Sequence, residues 1–337
     1  MTLLYNHSLK PFNTLAVDVQ AESFCTVTSV DELKNALKQT TSNELLVLGG
    51  GSNIVLTSDV AGLVIHNCIG GVEVLEQGPQ QVVIKVGAGE NWDGLVETCV
   101  QQGWYGLENL SWIPGSVGAA PIQNIGAYGV ELKDCLEAVE TLRLKDLSPQ
   151  QLSCKECRFG YRDSVFKQEE KGRHVITAVV LRLNKTPTLK LDYGEIRNSA
   201  DEWGYDVDQL TAADVRHIII RIRTEKLPDP ALAPNVGSFF KNPVVPVAVF
   251  QTIKMAEPSV VAYELPNGQV KLAAGWLIDR LGWKGKRLGQ ARVHDRQALV
   301  LVNEGQSSAD LLTLAAKIQQ QVLDRFGVEL EIEPSII

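Results

Sequence analysis

One short segment of this chain combines cationic and aromatic side chains in a way that suits an anionic substrate. It reads Arg158-Phe159-Gly160-Tyr161-Arg162-Asp163-Ser164-Val165-Phe166-Lys167. Arginine can pair with a carboxylate or phosphate through two parallel hydrogen bonds. By itself, however, the pattern is better explained by a surface hairpin with ordinary ion pairs.

A second segment places a hydroxyl group beside bulky rings. It reads Gly237-Ser238-Phe239-Phe240-Lys241-Asn242-Pro243. A serine in such a dry setting needs a hydrogen-bond partner or a chemical task. The segment lacks the Gly-x-Ser-x-Gly elbow of the hydrolases. Ser238 is therefore a candidate reactive residue outside the usual setting of a hydrolase nucleophile.

Residues 109–131 are rich in glycine, proline and amides, and they carry no charge before Glu131. Such a segment forms a poor helix or strand. It suits a main chain that runs against a large flat ligand, and Pro114–Gly118 could supply an anion-binding nest of N–H groups. A Gly/Pro-rich loop is more often a surface loop, but the apolar content favours a buried ligand-binding loop.

Two further segments repeat the arrangement of a strand followed by small residues. Leu45–Leu48 precedes Gly49-Gly50-Gly51-Ser52-Asn53, and Val82–Val86 precedes residues 87–92. The first is not a Rossmann fingerprint, because Ile54 takes the third glycine position and a strand follows. No Gly-Lys-Ser/Thr P-loop occurs in the chain. Together the three segments indicate a dinucleotide held by loops.

Composition limits the other possibilities. The 337 residues are 45% hydrophobic and 21% charged, typical of a globular protein with two or three domains. A net charge of −8 argues against nucleic acid or an anionic membrane as the main partner. Apolar runs are too short for a membrane span, and the amino terminus lacks a signal-peptide core. The six scattered cysteines favour a cytoplasmic location.

Metal and redox chemistry find little support. Cys154-Lys155-Glu156-Cys157 lacks a second ligand pair for zinc and the context of a thioredoxin motif, so a structural role is favoured. The five histidines show no metal spacing. We therefore expect no metal site.

The residue pattern predicts short strands mixed with helices, an α+β arrangement rather than regular βαβ units. Ser29–Glu32 is a capping box that starts a helix, and Gly103 and Gly327 are expected helix ends. Leu227-Pro228-Asp229-Pro230 marks a domain boundary, and Val328–Glu333 alternates as a half-buried strand. The predicted strands are 44–48, 54–56, 63–66, 72–75, 82–86, 138–144, 174–183 and 298–303, and the other predicted helices are 91–102, 211–226, 246–256, 272–281 and 308–326.

Over nearly its whole length the chain resembles the UDP-N-acetylenolpyruvoylglucosamine reductases, flavoenzymes of peptidoglycan precursor synthesis. The resemblance rests on motifs that follow in the family's order. Leu191-Asp192-Tyr193-Gly194-Glu195 resembles the tyrosine-bearing loop of the first structural type in the family. The other matching motifs are Asn13-Thr14, 49–53, 113–129, 158–167, 226–230, 237–243, 273–279 and 297–300.

The resemblance implies an FAD-binding domain of the vanillyl-alcohol-oxidase type, made of two α+β subdomains, followed by a substrate domain. The expected domains are residues 1–67 and 68–226 for FAD and 227–327 for substrate, with 328–337 returning to the first. The implied cofactor is non-covalent FAD, with NADPH as co-substrate. The implied reaction adds hydride to the methylene carbon of the UDP-linked enolpyruvyl ether. A monomer without nucleic-acid or membrane partners is expected.

The resemblance also assigns roles to residues. Arg162 pairs with the substrate carboxylate, Glu333 supports the same oxygens, and Ser238 protonates the substituted carbon as a general acid. Residues that match substrate-binding or loop-closing positions are Tyr161, Tyr193, Lys226, Asn242 and Gln297. Residues that match the flavin-binding segments are Gly49, Gly50, Gly51, Ser52, Asn53, Ile113, Pro114, Gly115, Ser116, Gly118, Ala119, Asn124, Gly126, Ala127, Tyr128 and Arg223.

Alternatives stay open for both the catalytic glutamate and the function. The carboxyl terminus departs from the family pattern by ending at Leu330-Glu331-Ile332-Glu333-Pro334-Ser335-Ile336-Ile337, so a two-residue slip would select Glu331 instead of Glu333. The function is also open, because another flavin oxidoreductase of the same superfamily would contain the same glycine-rich loops. A protein that binds a flavin or a UDP-sugar without turnover would contain them as well. Covalent attachment of FAD through His or Cys is disfavoured, because residues 49–53 and 109–131 contain neither residue.

Overall fold

The structure is a computed structural model that describes residues 1–40, 44–193 and 195–337. The chain divides into two compact units, each assembled from separate stretches of sequence. Unit 1 comprises Met1–His7, Ala21–Gly50 and Val60–Arg223, and unit 2 comprises Ser8–Gln20, Gly51–Asp59 and Thr224–Ile337. The three-part division expected from the sequence stays a prediction.

Helices and short strands alternate irregularly along the chain, as an α+β fold requires. The helices are Val30–Gln39 (α1), Trp92–Gln101 (α2), Ile196–Glu202 (α3), Ala212–Lys226 (α4), Val247–Ala256 (α5), Ala274–Arg280 (α6) and Ala309–Phe326 (α7). The strands are Leu4–Ser8 (β1), Gln20–Val27 (β2), Leu45–Leu48 (β3), Ile54–Val55 (β4), Val60–Asn67 (β5), Val72–Gln77 (β6), Gln81–Gly87 (β7), Gly126–Ala127 (β8), Val130–Glu131 (β9), Leu136–Arg143 (β10), Pro149–Ser153 (β11), His174–Asn184 (β12), Val244–Pro246 (β13), Ala262–Glu264 (β14), Gln269–Leu272 (β15), Arg287–Leu288 (β16), Ala291–Val293 (β17), Leu301–Asn303 (β18) and Ser335–Ile336 (β19).

Unit 1 contains two larger sheets and the short antiparallel pair β8–β9. The first has the strand order β1-β2-β5-β3, with β5 parallel to both β2 and β3. The second is antiparallel, with the order β11-β10-β12-β7-β6. Its central strand β12 is buried along most of its length because helix α2 and the flanking loops contribute to the same apolar core. Two of the glycine-rich segments singled out in the sequence follow strands of these sheets: Gly49 comes directly after β3, and residues 88–92 come directly after β7.

The expected helix signals are present with small differences. Ser29 caps α1 by accepting a hydrogen bond from the N–H of Glu32 at 3.2 Å. The carboxylate of Glu32 accepts the return bond from Thr28 rather than from Ser29, at 2.8 Å. Gly103 and Gly327 follow α2 and α7 with φ of 70° and 64°, a left-handed conformation that glycine adopts without strain.

Unit 2 contains two three-stranded antiparallel sheets, with the orders β13-β15-β14 and β16-β17-β18. The apolar face of α7 is buried as predicted, through residues that include Leu311, Ala315, Ile318 and Val322. The parallel pair β4–β19 joins the carboxyl terminus to the residues after the first glycine cluster. None of the helices in the described part of the chain is long and apolar enough to cross a bilayer.

The predicted strand over Val328–Glu333 is wrong. Val328 and Leu330 are buried and Glu329 and Glu331 are exposed, so the alternation exists. It arises from packing of one side against the interior of unit 2, not from a ladder. In this segment only Ile332 forms a bridge, with Phe240, and the strand with paired neighbours begins at Ser335.

Candidate active site

Within unit 1, Gly49 and Gly50 contact Gly115 and Ser116 of the segment 109–131. A Cβ atom added at Gly50 would lie 2.8 Å from the Cα of Gly115, and one added at Gly49 would lie 2.0 Å from the Oγ of Ser116. Only hydrogen fits at either position, because the neighbouring atoms belong to main chain or to a side chain that is itself buried. The glycines therefore allow two loops to cross at main-chain distance.

The third segment joins the same crossing. The N–H of Trp92 donates to the carbonyl oxygen of Gly115 at 3.0 Å, and the N–H of Val117 donates to that of Glu90 at 2.9 Å. A Cβ atom at Gly118 would lie 2.6 Å from the Cβ of Ala88, so this contact is also close. Residues 49–50, 88–92 and 115–118 thus form one cluster of bare main chain. The three segments selected from the sequence meet here.

The rest of the first glycine cluster belongs to unit 2. Gly51 has φ of 60°, and its added Cβ would lie 2.0 Å from the carbonyl oxygen of Phe12. Its own carbonyl oxygen accepts a hydrogen bond from the N–H of Thr14 at 3.1 Å. The carbonyl oxygen of Asn53 accepts one from Ser335 at 3.0 Å. The Asn13-Thr14 motif therefore supports the turn that contains Gly51.

A partly buried cation stands beside residues 109–131, which we call the flavin loop after the role expected for it from the sequence. The Nε of Arg223 donates to the carbonyl oxygen of Trp112 at 3.1 Å, and its guanidinium bonds the hydroxyl of Tyr128. Burial lowers the pKa of Arg223, and burial raises the pKa of Tyr128. The positive charge of Arg162 acts on Arg223 in the same sense as burial. Two guanidinium groups within electrostatic reach favour an anionic ligand.

Arg162 lies against the far end of the flavin loop. Its Nη2 donates to the carbonyl oxygen of Gly126 at 2.7 Å, and its guanidinium lies 5.4 Å from the ring centre of Tyr161. Its φ of 53° is unusual for a residue other than glycine. The sequence pattern Arg158–Lys167 therefore contains a residue held in a defined position, which the ordinary surface-hairpin interpretation does not require.

Asn124 ties these two segments together. Its Nδ2 donates to the carbonyl oxygen of Gly160 and to the carboxylate of Glu131, both at 3.0 Å. Its Oδ1 accepts from the N–H of Lys133 at 3.1 Å, and the residue is fully buried. The side chain of Asn124 thus shapes the loop from within. Its assignment to cofactor binding stays a prediction.

Ser238 sits in a segment fixed on both sides within unit 2. Gly237 precedes it with φ of 72°, and Phe239 and Phe240 after it are buried. Ser238 forms a bridge with Val300, and the N–H of Phe239 donates to Leu299 at 2.8 Å. The two rings that predicted a dry setting therefore anchor the segment, while Ser238 itself remains partly exposed.

The two candidate glutamates have different surroundings. The N–H of Glu333 donates to the carbonyl oxygen of Phe239 at 3.0 Å, so Glu333 is placed beside the serine segment and is partly buried. Glu331 has a side chain that is 70% exposed and forms an ion pair with Lys241. A solvated, paired carboxylate is poorly suited to catalysis. The choice of Glu333 over Glu331 stays a prediction.

The remaining predicted substrate residues have local roles that the structure records. The Oδ1 of Asn242 accepts from the N–H of Ala274, at the start of α6, at 2.9 Å. The Oε1 of Gln297 accepts from the N–H of Leu299 at 3.3 Å. Lys226 is the last residue of α4. The ring of Tyr193 packs near Gly129, whose added Cβ would lie 3.0 Å from the Cβ of Tyr193; Gly194 lies outside the described residues.

Sequence reasoning missed an ion pair that supports the flavin loop. Asp93 in α2 accepts two hydrogen bonds from Arg216 in α4, at 2.6 and 2.9 Å, and one from the N–H of Trp112 at 2.6 Å. Burial alone would raise the pKa of Asp93, but these hydrogen bonds and the charges of Arg216 and Arg223 lower it overall. The partners are far apart in sequence, so no motif identifies them.

The cysteines show no sign of chemistry. All six lie in the described ranges and are free thiols. Burial raises the pKa of Cys99, Cys135 and Cys157 to about 12, which leaves these thiols protonated and unreactive. Within residues 1–40, 44–193 and 195–337, no three His, Cys, Asp or Glu side chains are grouped to hold a metal.

The class of the protein follows from this arrangement and from a family model. A model described as "FAD binding domain" matches residues 21–146, which contain the crossing of the glycine segments. Bare main chain beside a partly buried arginine fits a ligand that carries a diphosphate. The chain is therefore an FAD-binding flavoprotein of the α+β class, as expected from the sequence.

A second model, "UDP-N-acetylenolpyruvoylglucosamine reductase, C-terminal domain", matches residues 229–337. The chain belongs to the UDP-N-acetylenolpyruvoylglucosamine reductase family. Curated reductases from Pseudomonas fluorescens (strain Pf0-1) and Pseudomonas savastanoi pv. phaseolicola are 50% and 48% identical, covering 97% and 98% of this chain and 97% of each relative. The crystal structure of the reductase from Thermus caldophilus has a TM-score of 0.68 at 27% identity, covering 99% of this chain and 98% of that chain.

Proposed function

We propose that this chain reduces UDP-N-acetylenolpyruvoylglucosamine to UDP-N-acetylmuramate with NADPH. The observation that carries the proposal is the full-length match to reductases at 48–50% identity. The FAD-binding domain supplies the redox cofactor that such a reaction needs. Held by residues 49–53 and 113–128 and by Arg223, FAD would supply the hydride chemistry that links NADPH to the methylene carbon of the enolpyruvyl group.

Arg162 is proposed to bind the carboxylate of the substrate. Hydride addition to the methylene carbon leaves negative charge on the adjacent carbon, conjugated with the carboxylate, so the charge on the carboxylate oxygens grows. A guanidinium can follow that growth through two parallel hydrogen bonds. The contacts of Arg162 with Gly126 and the ring of Tyr161 support this role, because they hold the group in one orientation.

Glu333 is proposed to stabilise the developing negative charge, and Ser238 is proposed to donate the proton. Protonated or hydrogen-bonded Glu333 stabilises the charged carboxylate oxygens instead of repelling them. Ser238 then donates its hydroxyl proton to the substituted carbon, which completes the addition of hydride and proton across the double bond. The proton lost by Ser238 is restored from solvent. The hydrogen bond from the N–H of Glu333 to the oxygen of Phe239 supports this pairing, since it joins the two segments.

The nucleotide part of the substrate is assigned to the remaining residues. Lys226 is proposed to neutralise the diphosphate, and Asn242 and Gln297 to provide polar contacts. Tyr193 is proposed to close over the diphosphate, and Tyr161 to line the site beside Arg162. The main-chain contacts that hold Asn242 and Gln297 in place support these assignments.

Location and assembly belong to the same proposal. We propose a cytoplasmic enzyme that acts as a monomer on two dissolved substrates. Six free thiols suit a reducing compartment. The acidic balance, with a net charge of −8, disfavours nucleic acid as a partner.

The decisive experiment uses the flavin spectrum. The purified protein should be yellow, and denaturation should release all of its flavin. NADPH should bleach the flavin under anaerobic conditions, and UDP-N-acetylenolpyruvoylglucosamine should restore its absorbance with formation of UDP-N-acetylmuramate. Restoration by a small keto acid but not by the UDP compound would favour another oxidoreductase of the superfamily. Flavin that stays attached to the denatured chain would contradict non-covalent binding.

A further inference from the structure

Trp112 has a strained main-chain conformation at the start of the flavin loop. Its φ is 60°, in the left-handed region that bulky residues rarely adopt. Its side chain is 47% exposed, so burial of the indole ring does not explain the conformation. Strain of this kind persists only where surrounding contacts enforce it, and it is concentrated at ligand-binding sites.

Two contacts hold the residue from opposite sides. The N–H of Trp112 donates to the carboxylate of Asp93 at 2.6 Å, and its carbonyl oxygen accepts from the Nε of Arg223 at 3.1 Å. Both are bonds to charged groups, which are stronger than bonds between neutral partners. The main chain of residue 112 is therefore fixed at both of its polar atoms.

Asp93 is itself held by a buried cation. Arg216 is only 8% exposed and binds both carboxylate oxygens of Asp93. Arg216 and Arg223 are two turns apart in α4, so they project from the same face of the helix. A single helix thus fixes both sides of residue 112, one directly and one through Asp93.

Helix α2 contacts the flavin loop at a second point. The N–H of Trp92, the residue before Asp93, donates to the carbonyl oxygen of Gly115 at 3.0 Å. The first turn of α2 therefore binds the loop on either side of Ile113 and Pro114. These are residues of the segment that crosses Gly49 and Gly50.

We infer that Asp93, held by Arg216, is a positioning residue for FAD: it keeps Trp112 in its left-handed conformation and so directs residues 113–116 toward the cofactor. The inference rests on the proposed FAD-binding role of the flavin loop. Without the carboxylate, residue 112 relaxes to negative φ and the following main chain changes direction. The cofactor is then bound more weakly, although none of the atoms of Asp93 needs to touch it.

The test distinguishes the effect of main-chain strain at residue 112 from the effect of losing the indole ring. Release of FAD from the holoenzyme is followed as the rise of flavin fluorescence after dilution, which gives a dissociation constant. Asp93→Asn should raise that constant about tenfold, equivalent to about 1.4 kcal/mol. Adding Trp112→Gly should restore most of the affinity, because glycine adopts φ of 60° without strain. Adding Trp112→Ala should not restore it, since alanine also lacks the ring but keeps the strained Cβ.

Three results would overturn the inference. The first is wild-type affinity in Asp93→Asn, and the second is equal recovery with Trp112→Ala and Trp112→Gly. If Asp93→Asn does not fold, the two Trp112 variants are compared in the native background. There Trp112→Gly should melt at a higher temperature than Trp112→Ala, and the opposite order is the third overturning result. Failure of the wild-type protein to bind FAD would instead reject the cofactor assignment and this inference with it.

Discussion

The N–H of Glu333 donates to the carbonyl oxygen of Phe239, at 3.0 Å. This bond places the last glutamate of the chain beside the residue that follows Ser238. Two residues earlier, the N–H of Lys241 donates to the carbonyl oxygen of Glu331 at 2.9 Å, so the two segments run alongside each other. The carboxyl terminus thereby supplies a candidate catalytic group to a segment nearly a hundred positions earlier in sequence.

This relationship predicts different effects for two neighbouring glutamates. Glu333→Gln should lower kcat by about a hundredfold or more, because a group that stabilises developing charge is lost. Glu331→Gln is the matched control. It removes an exposed ion pair with Lys241, worth at most about 1 kcal/mol, and should leave kcat within about twofold. Steady-state kinetics of both variants decides the assignment, and the reverse ranking would select Glu331.

Ser238→Ala should separate the two half-reactions. Reduction of the flavin by NADPH needs no proton from the serine and should keep its rate. Reoxidation by the enolpyruvyl substrate should slow by about a hundredfold to ten-thousandfold, the usual contribution of a general acid. Stopped-flow absorbance measures both steps in one preparation. Equal slowing of the two steps would show that Ser238 positions the flavin or supports the fold instead of donating the proton.

The parts of the site that sequence could predict are those that depend on residue type at a short spacing. The role of Gly49 and Gly50 can be predicted from the sequence because no other residue tolerates a main-chain crossing at this distance. Ser238 can be selected as a candidate from the sequence because two aromatic residues follow it, and both are buried in the structure. In each case the constraint acts within a few residues, so the local sequence records it.

Other features escaped prediction because their causes lie outside the local sequence. Asp93 and Arg216 are joined only by the fold, and neither has neighbours that identify the pair. The alternation at Val328–Glu333 predicted a strand of six residues, but only residues 331–333 lie alongside residues 239–241, and one-sided packing accounts for the alternation before them. Periodicity reports which side of a segment is buried. It does not report what covers that side.

Arg162→Lys should impair turnover although the charge is kept. Lysine offers a point charge, whereas the guanidinium offers a planar pair of donors and the contact with the carbonyl oxygen of Gly126. We expect kcat/KM for the UDP substrate to fall by about tenfold to a hundredfold. Arg158→Lys is the control, because Arg158 forms an exposed pair with Glu169. Similar losses in both variants would indicate a general effect on the segment.

Gly50→Ala should destabilise the FAD-binding domain. The added Cβ would lie 2.8 Å from the Cα of Gly115, and neither main chain can move without disturbing the other. Overpacking of this kind costs about 1–3 kcal/mol. Gly78→Ala is the matched control, since its nearest neighbour would be the carbonyl oxygen of Gln81 at 3.5 Å. Urea unfolding of the holoenzymes and their flavin content should both distinguish the two variants, and equal behaviour would contradict the crossing.

The pair formed by Asp93 and Arg216 should make stability depend on pH in the acidic range. The pKa of Asp93 in the folded protein lies below its ordinary value of 3.8. Its stabilising contribution is therefore complete above that value and is lost as the pH falls through the lower folded pKa. At pH 7, Asp93→Asn should reduce the free energy of unfolding by about 3 kcal/mol, because a buried arginine loses its charged partner. The difference between wild type and variant should shrink as the pH drops below 3.8, measured by urea unfolding at a series of pH values. A difference that stays constant down to the acid limit would show that the carboxylate charge of Asp93 does not stabilise the fold.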